Sequence, residues 1–276
     1  MRARVPPSRL VILGHPVAQS LSPVFQNAAL EYAGYPQRYT AVDVAPLALL
    51  ETLRGLANEN AGGNVTMPHK HAVFSVARRT STLAARVGSV NTFWYEDGAL
   101  VGHNTDVAGI HATIRALCPS GLHDAQCTVL GAGGSAAAVF VALDELGCRN
   151  IRVWARTASR AQDVADRVGV HITVDDVVEL AVQGSTLVIN ATPIGMRDTD
   201  VPIAPAALPV GCAAFDLVYR RGTTPWVRRC RDHGIRAEDG RRMLIEQGAE
   251  AFRTWFDAEP STDIMWRAIG TDGDHT

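Results

Sequence analysis

The chain has 276 residues, 47% hydrophobic and 20% charged, with 26 basic side chains against 28 acidic ones. A net charge of -2 gives no overall field to draw in nucleic acid or an anionic membrane. Arg220-Arg221 and Arg228-Arg229 are small basic spots that read as solvated surface. The five cysteines are scattered and never form C-x-x-C, which argues against a disulfide framework or a zinc site and suits a reducing cytoplasm. Leu10–Leu13 is too short for a signal segment, and no stretch approaches the ~18 apolar residues of a membrane span. A cytoplasmic, soluble protein of one large or two ordinary domains is expected.

The predicted elements begin with a buried strand at Leu10–Leu13, ended by Gly14-His15-Pro16. Ser22-Pro23 starts a helix, with serine as cap and proline in the first turn. Tyr39–Val42 is a second strand. Leu47–Leu56 is a second helix with Leu49, Leu50, Leu53 and Leu56 on one face. Gly62–Thr66 is a third strand, and Val90–Tyr95 with Ala99–Val101 a hairpin around Asp97-Gly98. From Asp106 the pattern changes to strands alternating with helices. Helices are expected at 107–117, 135–146 and 160–168, and strands at 127–130, 151–154, 186–189 and 213–216. That alternation predicts a parallel sheet covered on both faces. Helices return at Met243–Phe256, with Leu244, Ala251, Phe252 and Trp255 inward, and at Ile264–Ile269. The polar tail Thr271–Thr276 is expected to fray. The expected architecture is α/β with two domains and a cleft between them: residues 1–106 plus 238–270, and a Rossmann-type unit over 107–237.

Gly131-Ala132-Gly133-Gly134-Ser135-Ala136 fits G-x-G-x-x-G/A, and it follows a strand and opens a helix. The first glycine permits the turn, the second lets the backbone approach a pyrophosphate, and the small third position lets helix and strand pack. The free amides of the helix start favour phosphate. A free ribose 2'-hydroxyl usually meets an acidic residue after the next strand. Here Ala155-Arg156-Thr157-Ala158-Ser159-Arg160 offers no carboxylate and two arginines, which favours NADP(H) over NAD. The plainer reading of Arg156 and Arg160 is an exposed helix start.

Two clusters carry the candidate chemistry. Asn64-Val65-Thr66-Met67-Pro68-His69-Lys70 supplies an amine, and Gly102-His103-Asn104-Thr105-Asp106 a carboxylate. A lysine in a partly dry site can exchange a proton near neutrality, and a carboxylate alongside holds the ammonium charged and oriented. Lys70 and Asp106 form such a pair if their loops meet. Otherwise Lys70 is solvated and Asp106 serves the dipole of the following helix. Ser20 and Ser22 serve either as caps or as a carboxylate receptor. His15, His69 and His103 lack metal-ligand spacing, so no metal is expected.

These residues resemble the shikimate dehydrogenase family. Eight motifs follow in that family's order: Gly14-His15-Pro16 with Ser20–Pro23, Asn64–Lys70, Gly88–Thr92, Gly102–Asp106, Ala155–Arg160, Asn190–Met196, Asp216–Tyr219 and Met243–Gly248. The resemblance implies reversible, NADPH-dependent, metal-free reduction of 3-dehydroshikimate to shikimate, a small polyhydroxylated cyclic acid, in aromatic amino acid biosynthesis. It implies Ser20 and Ser22 on the substrate carboxylate. Thr66, Asn91, Asp106 and Gln247 would meet the ring hydroxyls, Asn64 would join the substrate-binding set, Tyr219 would lie at the substrate end, and Lys70 would exchange the proton. It adds Thr192, Met196, Leu217 and Gly240 to the glycine turn and arginine segment as cofactor residues. It leaves monomer or homodimer open. Gln26, Arg221 and Arg242 depart from the family's histidine, proline and glycine, as does Ala155 from its asparagine. A quinate or aminoshikimate dehydrogenase, or an NADP-binding regulator without turnover, are the alternatives.

Overall fold

Strand β1 (Leu10–Gly14) is buried along its whole length, and the first half of the chain is built out from it. The computed structural model describes residues 5–197 and 199–270, so the expected tail at 271–276 lies outside the described residues. The chain divides into two units, one of residues 1–106 with 245–276 and the other of residues 107–244.

In the first unit β1 leads into α1 (Ser22–Tyr32), β2 (Tyr39–Asp43) and α2 (Leu49–Asn58). β3 (Gly62–Val65), α3 (Lys70–Val76), β4 (Arg79–Thr80) and α4 (Thr82–Val87) follow, then the hairpin β5 (Thr92–Glu96) and β6 (Ala99–His103). The sheet order is β2-β1-β3-β5-β6-β4. β1 pairs in parallel with β2 and β3, while β5 runs antiparallel to β3 and β6. Asp97 and Gly98 both take positive φ, as a two-residue hairpin turn requires. One sheet face packs Val11, Leu13, Val65 and Phe93 on Leu49, Leu53 and Leu56 of α2. Leu50 was expected on that face but is 52% exposed. The helix begins at Leu49 after a 3-10 turn at Pro46–Ala48, so only the 49, 53, 56 stripe faces the sheet.

The helices α3 and α4 lie in a stretch for which the sequence predicted no element. Ser81 caps α4, its Oγ accepting the Ala84 N–H at 3.1 Å. Ser81→Ala is expected to cost about 1 kcal/mol, seen as a lower urea midpoint for unfolding; an unchanged midpoint would refute the cap's contribution. At α1 the expected serine cap is absent. Leu21 occupies the cap position, Ser22 is already helical, and Ser20 Oγ accepts the Ser22 N–H at 3.2 Å instead.

The second unit begins with α5 (Asp106–Leu117), β7 (Gln126–Leu130), α6 (Ala136–Glu145) and β8 (Asn150–Trp154). α7 (Ala158–Val168), β9 (Thr173–Asp175), α8 (Val178–Ala181) and β10 (Leu187–Asn190) come next. β11 (Ala213–Asp216), α9 (Pro225–Asp232) and β12 (Arg236–Glu238) complete the sheet. Its order is β12-β11-β10-β7-β8-β9, parallel throughout. Counted within the unit this is 6-5-4-1-2-3, the doubly wound dinucleotide order, with the reversal between β7 and β10. Residues 136–143 of α6 are all buried, so the helix presses on the sheet and fixes the turn before it.

The chain then enters α10 (Gly240–Phe256) and α11 (Thr262–Ile269). In the first unit α11 packs on α1, and Trp255 of α10 donates its indole N–H to the Phe93 carbonyl at 3.2 Å. Tyr39 lies 6.1 Å from Trp255, ring centre to ring centre.

Candidate functional site

Lys70 is the first residue of α3, directly after the turn that leaves β3. Asp106 follows the turn that leaves β6. Because β3 and β6 both flank β5, their outgoing turns meet. Lys70 Nζ donates to Asp106 Oδ2 at 2.7 Å, with side chains 24% and 9% exposed. The amine therefore keeps a solvent-facing side while its carboxylate partner is sheltered.

Asn91, at the start of β5, organises the surroundings. Its Nδ2 donates to Asp106 Oδ1 at 2.9 Å, Thr105 Oγ1 at 3.0 Å and Gln247 Oε1 at 3.2 Å. Its Oδ1 accepts the Thr105 N–H at 2.7 Å. Asp106 N–H donates to Asn104 Oδ1, and Asn104 Nδ2 donates to the Ser89 carbonyl and hydroxyl. Every buried polar atom named here has a partner, so the cluster is rigid. Asn64 lies beneath it and is committed to protein: Tyr39 OH donates to its Oδ1 at 2.7 Å, and its Nδ2 donates to the Asn91 carbonyl and Thr92 Oγ1. Asn64 therefore braces Asn91. Tyr39, Thr92, Asn104 and Thr105 were not singled out as site residues from the sequence. For Asn104 and Thr105 the signal was their place within the motif that ends in Asp106.

The Ser22 and Thr66 side-chain hydroxyls make no hydrogen bond to protein among the described residues, while Ser20 Oγ is engaged by Ser22. The three histidines are occupied locally. His15 pairs with Asp43 at 2.5 Å and holds that carboxyl below its usual range; His69 Nε2 meets the Val44 carbonyl at 2.7 Å. His103 Nδ1 lies 2.6 Å from Ser81 Oγ, and burial pushes its imidazole towards the neutral form. Among the described residues no group of three or more His, Cys, Asp or Glu could hold a metal.

In the second unit the turn 131–135 leaves β7 at the topological reversal. Gly131 has φ +104°, and a Cβ there would sit 2.8 Å from Thr192 Cγ2. At Gly133 a Cβ would meet only the Ala191 carbonyl oxygen, at 3.7 Å, and at Gly134 nothing. No protein atom demands glycine at those two positions, so they leave a cradle in which a phosphate can approach backbone. The cap residue of α6, Ser135, makes no side-chain cap bond; the Ala136 N–H turns to the Gly133 carbonyl at 3.1 Å, and the amides that follow it are placed to meet a ligand. Ala136 is fully buried against the sheet. Arg156 and Arg160 are exposed around the start of α7 and make no ion pair or hydrogen bond to protein among the described residues. The residues present fit a dinucleotide carrying a 2'-phosphate.

The far side of this site is set by β10 and β11. Thr192 Oγ1 donates to Asn190 Oδ1 at 2.6 Å, Leu217 N–H to the Asn190 carbonyl, and Gly240 N–H to the Val218 carbonyl. A Cβ at Gly240 would lie 2.4 Å from the Leu217 carbonyl oxygen. Met196 is 43% exposed and Tyr219 is half-buried.

Three family models match the chain: the shikimate dehydrogenase substrate binding domain over residues 12–93, shikimate/quinate 5-dehydrogenase over 115–194, and the shikimate 5'-dehydrogenase C-terminal domain over 240–269. A relative from Mesorhizobium japonicum, named shikimate dehydrogenase (NADP(+)), is 37% identical over 94% of each chain. The solved shikimate dehydrogenase of Aquifex aeolicus superposes with a TM-score of 0.90 at 30% identity, covering 96% of this chain and 98% of that one. Shikimate 5-dehydrogenase of Thermus thermophilus, solved with NADP(H) and shikimate, gives 0.86 at 36% identity, covering 95% and 98%. With sequence, domain order and fold agreeing over almost its full length, the chain belongs to the shikimate dehydrogenase family.

Proposed function

We propose that the chain interconverts shikimate and 3-dehydroshikimate with NADP(H), Lys70 exchanging the proton. The observation that carries this reading is the Lys70–Asp106 pair at 2.7 Å, held by Asn91, which also donates to Gln247. NADPH, when bound, supplies the hydride to the carbonyl carbon. The Lys70 ammonium, oriented by Asp106, gives a proton to the carbonyl oxygen; in the reverse direction the amine takes the hydroxyl proton. Ser20 and Ser22 hold the substrate carboxylate, and Thr66, Asn91, Asp106 and Gln247 meet ring hydroxyls. Asn64 supports that set from below, and Tyr219 closes the substrate end. The turn 131–136 takes the pyrophosphate. Ala155, Arg156, Thr157 and Arg160 take the 2'-phosphate, and Thr192, Met196, Leu217 and Gly240 line the other half. All five cysteines are free and buried, which suits a reducing compartment, and no helix among the described residues is long and apolar enough to cross a membrane. We place the protein in the cytoplasm, as a monomer or homodimer.

The test is a steady-state assay following NADPH absorbance with shikimate or quinate and with NADP+ or NAD+. Shikimate with NADP+ is expected to give the highest kcat/KM. A preference for quinate would move the assignment to a sister activity. Tight NADPH binding without oxidation of either acid would indicate a regulator.

A further inference from the structure

We propose that Asp216, acting with Asn190, is a positioning residue for dinucleotide binding: it ties together the two turns that receive the nicotinamide half of the cofactor. The inference rests on the NADP-binding reading above and deepens it. In a doubly wound sheet the dinucleotide crosses the carboxyl ends of the strands at the reversal. The pyrophosphate turn follows β7 and the arginine segment follows β8, so the other half of the dinucleotide lies over the ends of β10 and β11. Asn190 is the last residue of β10 and Asp216 the last of β11, and the two are register partners.

Both side chains are fully buried and face each other, Asn190 Nδ2 donating to Asp216 Oδ1 at 2.8 Å. Asn190 holds its own turn: its Oδ1 accepts from Thr192 N–H and Oγ1, and its Nδ2 also reaches the Ile194 carbonyl. Asp216 holds the next turn: Oδ1 accepts the Val218 N–H at 3.1 Å and Oδ2 accepts the Thr224 hydroxyl at 2.8 Å. Thr192 and Val218, beside the proposed ligand residues Leu217 and Tyr219, therefore hang on one amide–carboxylate pair.

Three groups donate hydrogen bonds to the Asp216 carboxylate, and no cation pairs with it among the described residues. Asp239, 3% exposed, adds repulsion and is held by Arg241 Nε at 2.9 Å; the Cys230 thiol of α9 is a further titratable neighbour among the described residues. Burial, opposed by those three hydrogen bonds, raises the Asp216 carboxyl to about 6. Protonation would remove the negative charge and turn these charge-assisted hydrogen bonds into weaker neutral ones, loosening both turns.

The experiment is NADPH affinity of the intact protein, read by cofactor fluorescence between about pH 5 and about pH 8, for wild type, Asp216→Asn and Thr224→Val. Wild-type affinity is expected to fall as the pH drops through about 6. Asp216→Asn should bind about tenfold more weakly at the alkaline end, the value of one lost charge-assisted hydrogen bond, and lose that pH dependence. The cofactor's own 2'-phosphate titrates in the same range for every variant, so the difference between curves is the readout. Thr224→Val, which removes one donor and keeps the carboxylate, should move the wild-type midpoint upward. Superimposable curves for wild type and Asp216→Asn, or an unmoved midpoint in Thr224→Val, would overturn the proposal. A wild-type protein that binds no NADPH at any pH would instead overturn the functional reading beneath it.

Discussion

Replacing Lys70 by alanine is expected to lower kcat for shikimate oxidation at least ~10²-fold, with a smaller change in KM. The expectation follows from where the amine sits. Its Nζ is held at 2.7 Å by a carboxylate that is itself fixed at the other oxygen by Asn91, so the ammonium is oriented and its remaining N–H groups are left to act. On the proposed reading, an alanine removes proton exchange and leaves Asn91 and Gln247, the proposed hydroxyl-binding groups, in place. A group acting only on the proton in transit shows in kcat; a group that only binds shows in KM. Steady-state kinetics of the purified variant separates the two. A loss confined to KM would make Lys70 a binding residue.

Arg156→Ala should weaken NADPH by tenfold or more and leave NADH within about twofold. A guanidinium on a phosphate forms charge-assisted bonds of about 1.5–3 kcal/mol, and about 1.4 kcal/mol is tenfold. Arg156 has no hydrogen-bond or ion-pair partner among the described residues, so its removal breaks no internal bond and the fold should stand. Fluorescence titrations with both cofactors decide the point. Equal weakening of the two would mean that Arg156 does not read the 2'-phosphate, and that the arginines are only an exposed helix start.

In the doubly wound half the central strands and the turn between them were legible from sequence. Its strands are short apolar runs such as Cys127–Leu130 and Leu187–Ile189, and the glycine turn announces where a strand becomes a helix. Elements escaped where apolar runs were short. β12 has three residues and β4 two. α9 did carry a signal, since Thr224 before Pro225 repeats the logic of a polar cap and an N-terminal proline, with Thr224 Oγ1 accepting the Val227 N–H. α3 was hidden because Lys70 reads as the end of a polar turn.

Within the candidate site, residue types were legible and partnerships were not. Lys70 and Asp106 are 36 positions apart and Asn91 and Gln247 are 156 apart. Only the placement of β3 and β6 on either side of β5 brings the first pair together, and only the return of α10 to the first unit brings the second. Tyr39 illustrates the limit: as a strand residue it looks like core, and its hydroxyl is the brace under Asn64.

The most direct test follows the hydride itself. NADPH deuterated at its hydride-donating carbon is incubated with 3-dehydroshikimate and the wild-type protein, and the product is weighed by mass spectrometry. Shikimate carrying one extra deuteron, formed in step with NADPH loss and nearly absent with Lys70→Ala, is the predicted result. Unlabelled product, or wild-type labelling rates with Lys70→Ala, would contradict the account.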